Sequence, residues 1–255
     1  MTKTLSKLET LPWLRALPAS RRRELERHSI VHSVAPGTVL FEQGELPGFQ
    51  YVLLSGSIHL LGRSITGHEV LIEVVEPPDL VVPAAVATGQ PFLMRAQVSE
   101  PSRLVLIQAD AFREAVLREP LLAQQVIASL AGQFRRLVRQ IKNLKLRTAT
   151  ERVGCYLLAL SKRQGTPHSA ILPYEKKLIA SELGITRESF SRALSALQKH
   201  GVEVRNASIS IQDQNRLAAA CGLDPLIDAA NGPLPIHEAA SIRPFKKART
   251  RRSHK

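Results

Sequence analysis

Positions 120–147 form a helix-length stretch that nothing breaks, with one glycine, Gly132, and no proline after Pro120. Within it Ile127, Leu130, Phe134, Leu137, Ile141 and Leu144 follow one another at steps of 3, 4, 3, 4 and 3 residues. That is a sustained a/d stripe, and it requires a long helix. Arg135, Arg136, Arg139, Lys142 and Lys145 stand at positions between. The stripe is narrow and its flanks are charged. This suits the seam of two paired helices better than the broad face of a helix lying on its own core. Packing on its own domain is the alternative. The preferred expectation is a homodimer with those six apolar residues in its interface.

The chain changes character on either side of this rod. Before it, up to about Leu117, short apolar runs (VLF, YVLL, IHLL, VLIEVV, LVLI) are separated by turn residues, among them Pro36-Gly37, Gly44 and Gly56. Strands at that spacing predict a sandwich or barrel. A helix capped by Ser20 is expected ahead of them, and another begins near Asp110. After the rod a helix starts from Thr148 or Thr150, with Glu151 as an acid in its first turn. KRQGTPH breaks it. YEKKLIASELGI and TRESFSRALSALQKHG then form two helices joined at Gly184, and VEVRNASISIQD alternates and turns at Asn206-Ala207 like a small hairpin. Helix, turn, helix and wing make one supersecondary unit. From Asp224 onward there is no clear period, and residues 224–255 are expected to be a disordered tail, basic at its end.

In the two-helix unit, Leu178, Ile179 and Leu183 give the first helix an inward face. Phe190, Ala193, Leu194 and Leu197 do the same for the second, which Thr186 caps. The remaining arc carries Thr186, Arg187, Glu188, Ser191, Arg192 and Ser195. In a helix-turn-helix the N-terminal residues of the second helix meet base edges in the major groove. Arginine bonds guanine O6 and N7 as a fork, a carboxylate accepts from the cytosine amino group, and serine reaches a base or a phosphate. A solvated face with Glu188 and Arg192 as an i,i+4 pair is the plain alternative. The short turn before the helix and the hairpin after it favour DNA reading.

Composition narrows the function classes. A length of 255 residues suits two domains, and 44% apolar residues can build real cores. The net charge is +13; residues 243–255 supply seven Lys/Arg and no acid, so 13 − 7 leaves +6 for the rest. A basic balance favours a polyanionic partner through counterion release. The two cysteines, Cys155 and Cys221, form no metal-binding or disulfide pattern and are expected to be buried apolar residues. The N-terminus has no signal-type apolar region and no run approaches a membrane span, so a cytoplasmic protein without a membrane partner is expected. GxSxG, HExxH, P-loop and GxGxxG motifs are absent, which argues against an enzyme.

The run SELGITRESFSRALSALQKHGVEV resembles the winged helix of the CRP–FNR family of bacterial transcription regulators, with Arg187, Glu188, Ser191 and Arg192 in its reading helix. PGTVLFEQGELPGFQYVLLSGSIHLLGR resembles the same family's β-roll. The resemblance spans roughly residues 10–216 and implies an α+β chain. Its parts are a β-roll sensor domain (10–118), a dimerisation helix (119–147) and a winged helix-turn-helix (148–216). It further implies a homodimer on double-stranded DNA, a near-palindromic operator with half-sites related to TTGA, and RNA polymerase as a partner of an activator. A regulatory or scaffold protein with a cyclic-nucleotide-type domain and no specific DNA binding is the competing class; the winged helix argues against it.

The resemblance also bears on the effector. Nucleotide-binding members hold the ribose with a glutamate on a short helix and the cyclic phosphate with an arginine. Here Val82 and Phe92 stand at those positions, with Arg95 three residues further on. A phosphate buried without a cation is very unfavourable, so cyclic AMP is not expected. No cysteine precedes Cys155, which removes the family's iron–sulfur sensor. Haem held by His28, His32, His59 or His68, a small apolar or aromatic effector, or regulation by abundance with no ligand stays open, and no metal site is expected.

Overall fold

The computed structural model describes residues 17–173 and 175–228. The chain is α+β: an N-terminal β-roll, a long helix and a C-terminal helix-turn-helix unit. The roll follows a first helix, α1 (Ala19–Arg27). Its strands are β1 (Ser29–Val34), β2 (Val39–Phe41), β3 (Phe49–Ser55), β4 (Ile58–Arg63), β5 (Glu69–Val75), β6 (Asp79–Val81), β7 (Arg95–Val98) and β8 (Ser102–Gln108). A short helix, α2 (Pro83–Thr88), lies between β6 and β7. The strands form two antiparallel sheets ordered β1-β8-β3-β6 and β2-β7-β4-β5.

The inner strands β3 and β8 of the first sheet are buried on both faces. Leu53 and Leu104 pair across β3 and β8 and face Ile58, Leu60 and Val98 between the sheets. Val52, Val105 and Ile107 point the other way, onto Phe112, Leu122 and Val126 of the covering helices. This is why YVLL and LVLI read as continuous apolar runs: a strand covered on both sides has no polar face to alternate with. Ser20 does not cap α1. The helix begins at Ala19 behind extended Pro18, which places Ser20 inside the first turn.

α3 (Ala109–Arg118) leads into α4 (Pro120–Leu146), the rod of 27 residues. Its inward face begins apolar, with Leu122 and Val126 buried, and continues as a polar ladder. Ser129 Oγ donates to Asp79 at 2.8 Å, Gln133 to the Leu80 carbonyl at 3.0 Å, and Gln140 to the Ile72 carbonyl at 3.0 Å. Arg136 bridges Glu73 (2.7 Å) and Asp79 (3.0 Å). One of the basic residues beside the stripe thus faces the roll.

Thr148 and Glu151 start α5 (Ala149–Arg163) with a reciprocal capping box, so Thr148 rather than Thr150 is the cap. Glu151 is held below the usual carboxylate range, chiefly by the Thr148 backbone N–H. The remaining elements are β9 (Ser169–Ile171), α6 (Lys176–Glu182), α7 (Arg187–Leu197), β10 (Val202–Arg205), β11 (Ser208–Ile211), α8 (Gln214–Cys221) and α9 (Pro225–Asp228). The expected hairpin is β10–β11, and β9 extends it to a three-stranded sheet ordered β10-β11-β9. β9 escapes the sequence reading because it is three residues long and follows a turn-rich break. α8 continues past residue 216 and sends Leu217 and Cys221 into the same core as α5 and α7. Asp224 and the residues of α9, expected to belong to the tail, are folded against α4. The basic stretch 243–255 lies outside the described residues.

Cys155 and Cys221 are both buried and unpaired as disulfides. Burial, above all, pushes their thiols up to about 12 and about 11. The thiolate is the reactive form. At pH 8 the folded protein is therefore expected to resist maleimide or iodoacetamide, with both thiols reacting on addition of denaturant. Rapid labelling of the native protein, counted by mass spectrometry, would contradict this.

Candidate nucleic-acid interface

Two helices and a tight turn set up the candidate site. Ile179 and Ala180 of α6, with Leu183, are buried. So are Phe190, Ala193, Leu194 and Leu197 of α7, and all seven share one core with Leu157 and Leu160 of α5. Spacings of three and four put the buried side chains of α7 on one stripe. The opposite arc is then forced into solvent. Thr186, Arg187, Glu188, Ser191, Arg192 and Ser195 are all exposed there. α6 itself rests on the β-roll, where Ser181 Oγ accepts the N–H of Leu71 at 2.8 Å.

The N-terminus of α7 is well capped. Thr186 Oγ1 accepts the N–H of Ser189 at 3.2 Å. Its own backbone N–H and the Thr186 hydroxyl hold the Glu188 carboxyl below the usual range, with Arg187 and Arg192 adding to the effect. Glu188 is therefore an anion and a pure acceptor near neutral pH. Arg192 donates to Ser189 Oγ at 2.9 Å, and Ser195 Oγ donates to the Ser191 carbonyl at 3.2 Å. A guanidinium has five donors, so the Ser189 bond leaves Arg192 capacity for a forked contact. Ser189, which is not among the six residues read from the sequence, joins the cap to Arg192. Its position three residues before Arg192 and three after Thr186 is the signal that could have found it. Lys177, Lys199 and Arg205 are exposed cations elsewhere on the same unit.

The six stripe residues of α4 divide by surroundings. Phe134 (66% exposed), Ile127 (64%), Leu137 (48%), Ile141 (44%) and Leu144 (40%) stand in solvent on the single chain. Leu130 is half-buried and packs against the roll's helix-covered core. Leu144, though exposed, also lies over Gly184 in the turn of the two-helix unit. Val138, also exposed, extends the apolar face.

In the sensor, Val82 precedes α2 and is half-buried against the inter-sheet core. Phe92 is buried and stacks on Phe41 with ring centroids 3.6 Å apart. Arg95 is answered by Glu69 at 3.0 Å and Glu42 at 3.5 Å. Of the four histidines considered for haem, His28 hydrogen-bonds Gln108. Burial lowers the affinity of His59 for a proton. Among the described residues no cluster of three or more His, Cys, Asp or Glu side chains could hold a metal ion. None of their helices is long and apolar enough to cross a membrane.

Comparison with known proteins agrees with this geometry. Residues 31–119 match the family model of the cyclic nucleotide-binding domain, and residues 151–220 match that of the Crp-like helix-turn-helix domain. The CRP-like cAMP-activated global transcriptional regulator of Mycobacterium tuberculosis is 27% identical over 187 residues, 71% of this chain and 84% of that protein. The fumarate and nitrate reduction regulatory protein of Salmonella typhi is 27% identical over 194 residues, 74% of this chain and 77% of that one. The solved structure of FixK2 from Bradyrhizobium japonicum shares the fold, with a TM-score of 0.63, 22% identity and coverage of 79% of this chain and 98% of that one.

Proposed function

Because this chain belongs to the CRP–FNR family of transcription regulators, we propose that two copies pair along α4 and present two copies of α7 to a near-palindromic operator in the cytoplasm. The carrying observation is that all six candidate reading residues fall on one exposed face of a capped helix whose other face is fully buried. Arg187, Glu188 and Arg192 take base edges; Thr186, Ser191 and Ser195 take bases or phosphates. Five exposed large apolar side chains along one line of α4 support a partner helix in solution. The half-sites are TTGA-like, about one helical turn apart, and RNA polymerase is the further partner.

The effector of this regulator is not cyclic AMP. At the position where the resemblance puts the phosphate-binding arginine, Phe92 stacks on Phe41, and Arg95, three residues further on, is already paired with two carboxylates. A phosphate there would meet an aromatic ring and compete with Glu42 and Glu69. Selection of bound duplexes from a random DNA pool by the purified protein, without added ligand, tests the whole reading. Recovery of a palindrome with TTGA-like arms supports it; binding with no recovered motif, or binding that needs cyclic AMP, refutes it.

Arg192→Ala tests the site at one residue. A base-reading arginine is expected to lose about 1–3 kcal/mol of discrimination at one base pair of each half-site. Competition binding against single-base operator variants measures it. A uniform loss across all sequences would make Arg192 a phosphate contact.

A further inference from the structure

We propose that residues 222–228 form a strap that fixes the angle between the reading unit and α4, and that Asp228, with Asp224, thereby sets which spacing of DNA half-sites the dimer accepts. This rests on the two-fold reading given above.

The covalent joint is short. α4 ends at Leu146, Arg147 is extended (φ −124°, ψ 142°), and α5 begins at Ala149. Two residues with rotatable backbones do not by themselves fix a direction. Besides the Ser181–Leu71 bond to the β-roll and Leu144 over Gly184, the strap adds a charged connection at the joint itself. Its near end is anchored in the reading unit, because Leu217 and Cys221 of α8 are buried with α5 and α7. Beyond Gly222 the chain turns onto the end of α4. There Asp228 takes both terminal nitrogens of Arg147, at 2.7 and 2.5 Å. Arg147 also donates to the Gly222 carbonyl at 3.0 Å and to Asn143 at 3.2 Å. Its side chain is only 5% exposed.

The acids are themselves held. Asp228 accepts the N–H of Asp224 at 2.8 Å, and Asp224 faces Lys142 at 3.4 Å. The Leu226 N–H, first, and Lys142 keep the Asp224 carboxyl below its usual range. The contacts of Arg147 with Asp228 and the Gly222 carbonyl, and that of Lys142 with Asp224, join the strap to α4 and the joint, while the bonds among Asp224, Leu226 and Asp228 hold the strap itself in shape. A forked, partly buried arginine–carboxylate pair is directional, so the joint cannot rotate without breaking two bonds together. The strap lies beyond the span matched by the helix-turn-helix family model, which ends at residue 220.

Stiffness at this joint becomes specificity on DNA. Each added base pair moves the second half-site by about 3.4 Å and turns it by about 35° around the duplex axis. A rigid pair of reading helices cannot follow; a loosened pair can.

The experiment measures full-length wild-type, Asp228→Asn and Lys142→Gln protein. The probes are duplexes carrying the selected half-site twice, at the optimal spacing and one or two base pairs either side, and one duplex with a single half-site. Wild-type affinity is expected to fall roughly tenfold or more for one base pair of change. Asp228→Asn is expected to stay within about threefold across the series. Lys142→Gln, which removes only the outer contact, falls between them. Unchanged single-site binding shows that the reading unit is intact; if Asp228→Asn loses it, Lys142→Gln decides alone. Variants as sharp as wild type overturn the strap and leave the two-fold reading standing. A wild type indifferent to spacing overturns the two-fold reading, and the strap with it.

Discussion

Phe134→Asp and Leu137→Asp are each expected to turn the protein into a monomer that keeps its fold. Both side chains are largely exposed on the single chain, so the protomer loses little when they change. In a two-fold seam each substitution is counted twice. Removing two large apolar side chains from the interface forfeits about 3–6 kcal/mol. That alone weakens pairing by roughly two to four decades. The introduced carboxylates make the loss larger, since each would be buried against apolar surface. Sedimentation equilibrium measures the association, and far-UV circular dichroism checks the fold. Affinity for the palindrome should fall with it, while single half-site binding persists. Leu130→Asp makes the contrast: Leu130 packs on the roll's own core, so its change should lower the stability of the protomer as well. A Phe134→Asp or Leu137→Asp protein that remains dimeric would remove α4 as the seam.

Gly56→Ala should cost the β-roll more than any other glycine substitution at a turn of this domain. Gly56 joins β3 to β4 at φ +90°, where a side chain costs about 1–3 kcal/mol. A Cβ there would also stand 2.6 Å from Ser102 Cα and 2.7 Å from the Pro101 carbonyl oxygen. Those are backbone atoms. Ser102 is buried and held by bonds to Ser57 N–H and the Glu100 carbonyl, so it has nowhere to go. The combined loss is expected to exceed about 3 kcal/mol. Gly44, at φ +88° with open space around it, carries the conformational cost alone. Thermal unfolding of the two alanine variants separates the cases. Equal losses would mean that the collision at Gly56 is relieved by backbone movement.

The two glycines look alike in the sequence, and that likeness marks a general boundary. The long helix, the two-helix unit, the wing and the cap at Thr186 were legible because each depends on residues a few positions apart. A stripe at steps of 3 and 4, a β-branched alternation, or a threonine before a helix acts within one or two turns of chain. For the same reason the six polar residues of α7 could be assigned to one face. Once Phe190, Ala193, Leu194 and Leu197 are inside, the rest of the circumference has only one side left to occupy.

What the tertiary structure decided involves partners far apart in the chain. The stripe of α4 did not reveal that Leu130 turns to the roll, that Leu144 covers Gly184, or that Arg136 serves Glu73 and Asp79 rather than a seam. Nor did the spacing around Arg95 show that Glu42 and Glu69 already hold it. The strap is the extreme case. Arg147 and Asp228 are separated by 81 residues, and nothing local marks either one. The sequence determined the main elements, their order and the exposed face of α7, because hydrophobic period and capping are short-range physics. The joint between those elements was decided only when distant charges were brought together and partly buried, since a charge withdrawn from water must find its partner wherever the fold places it.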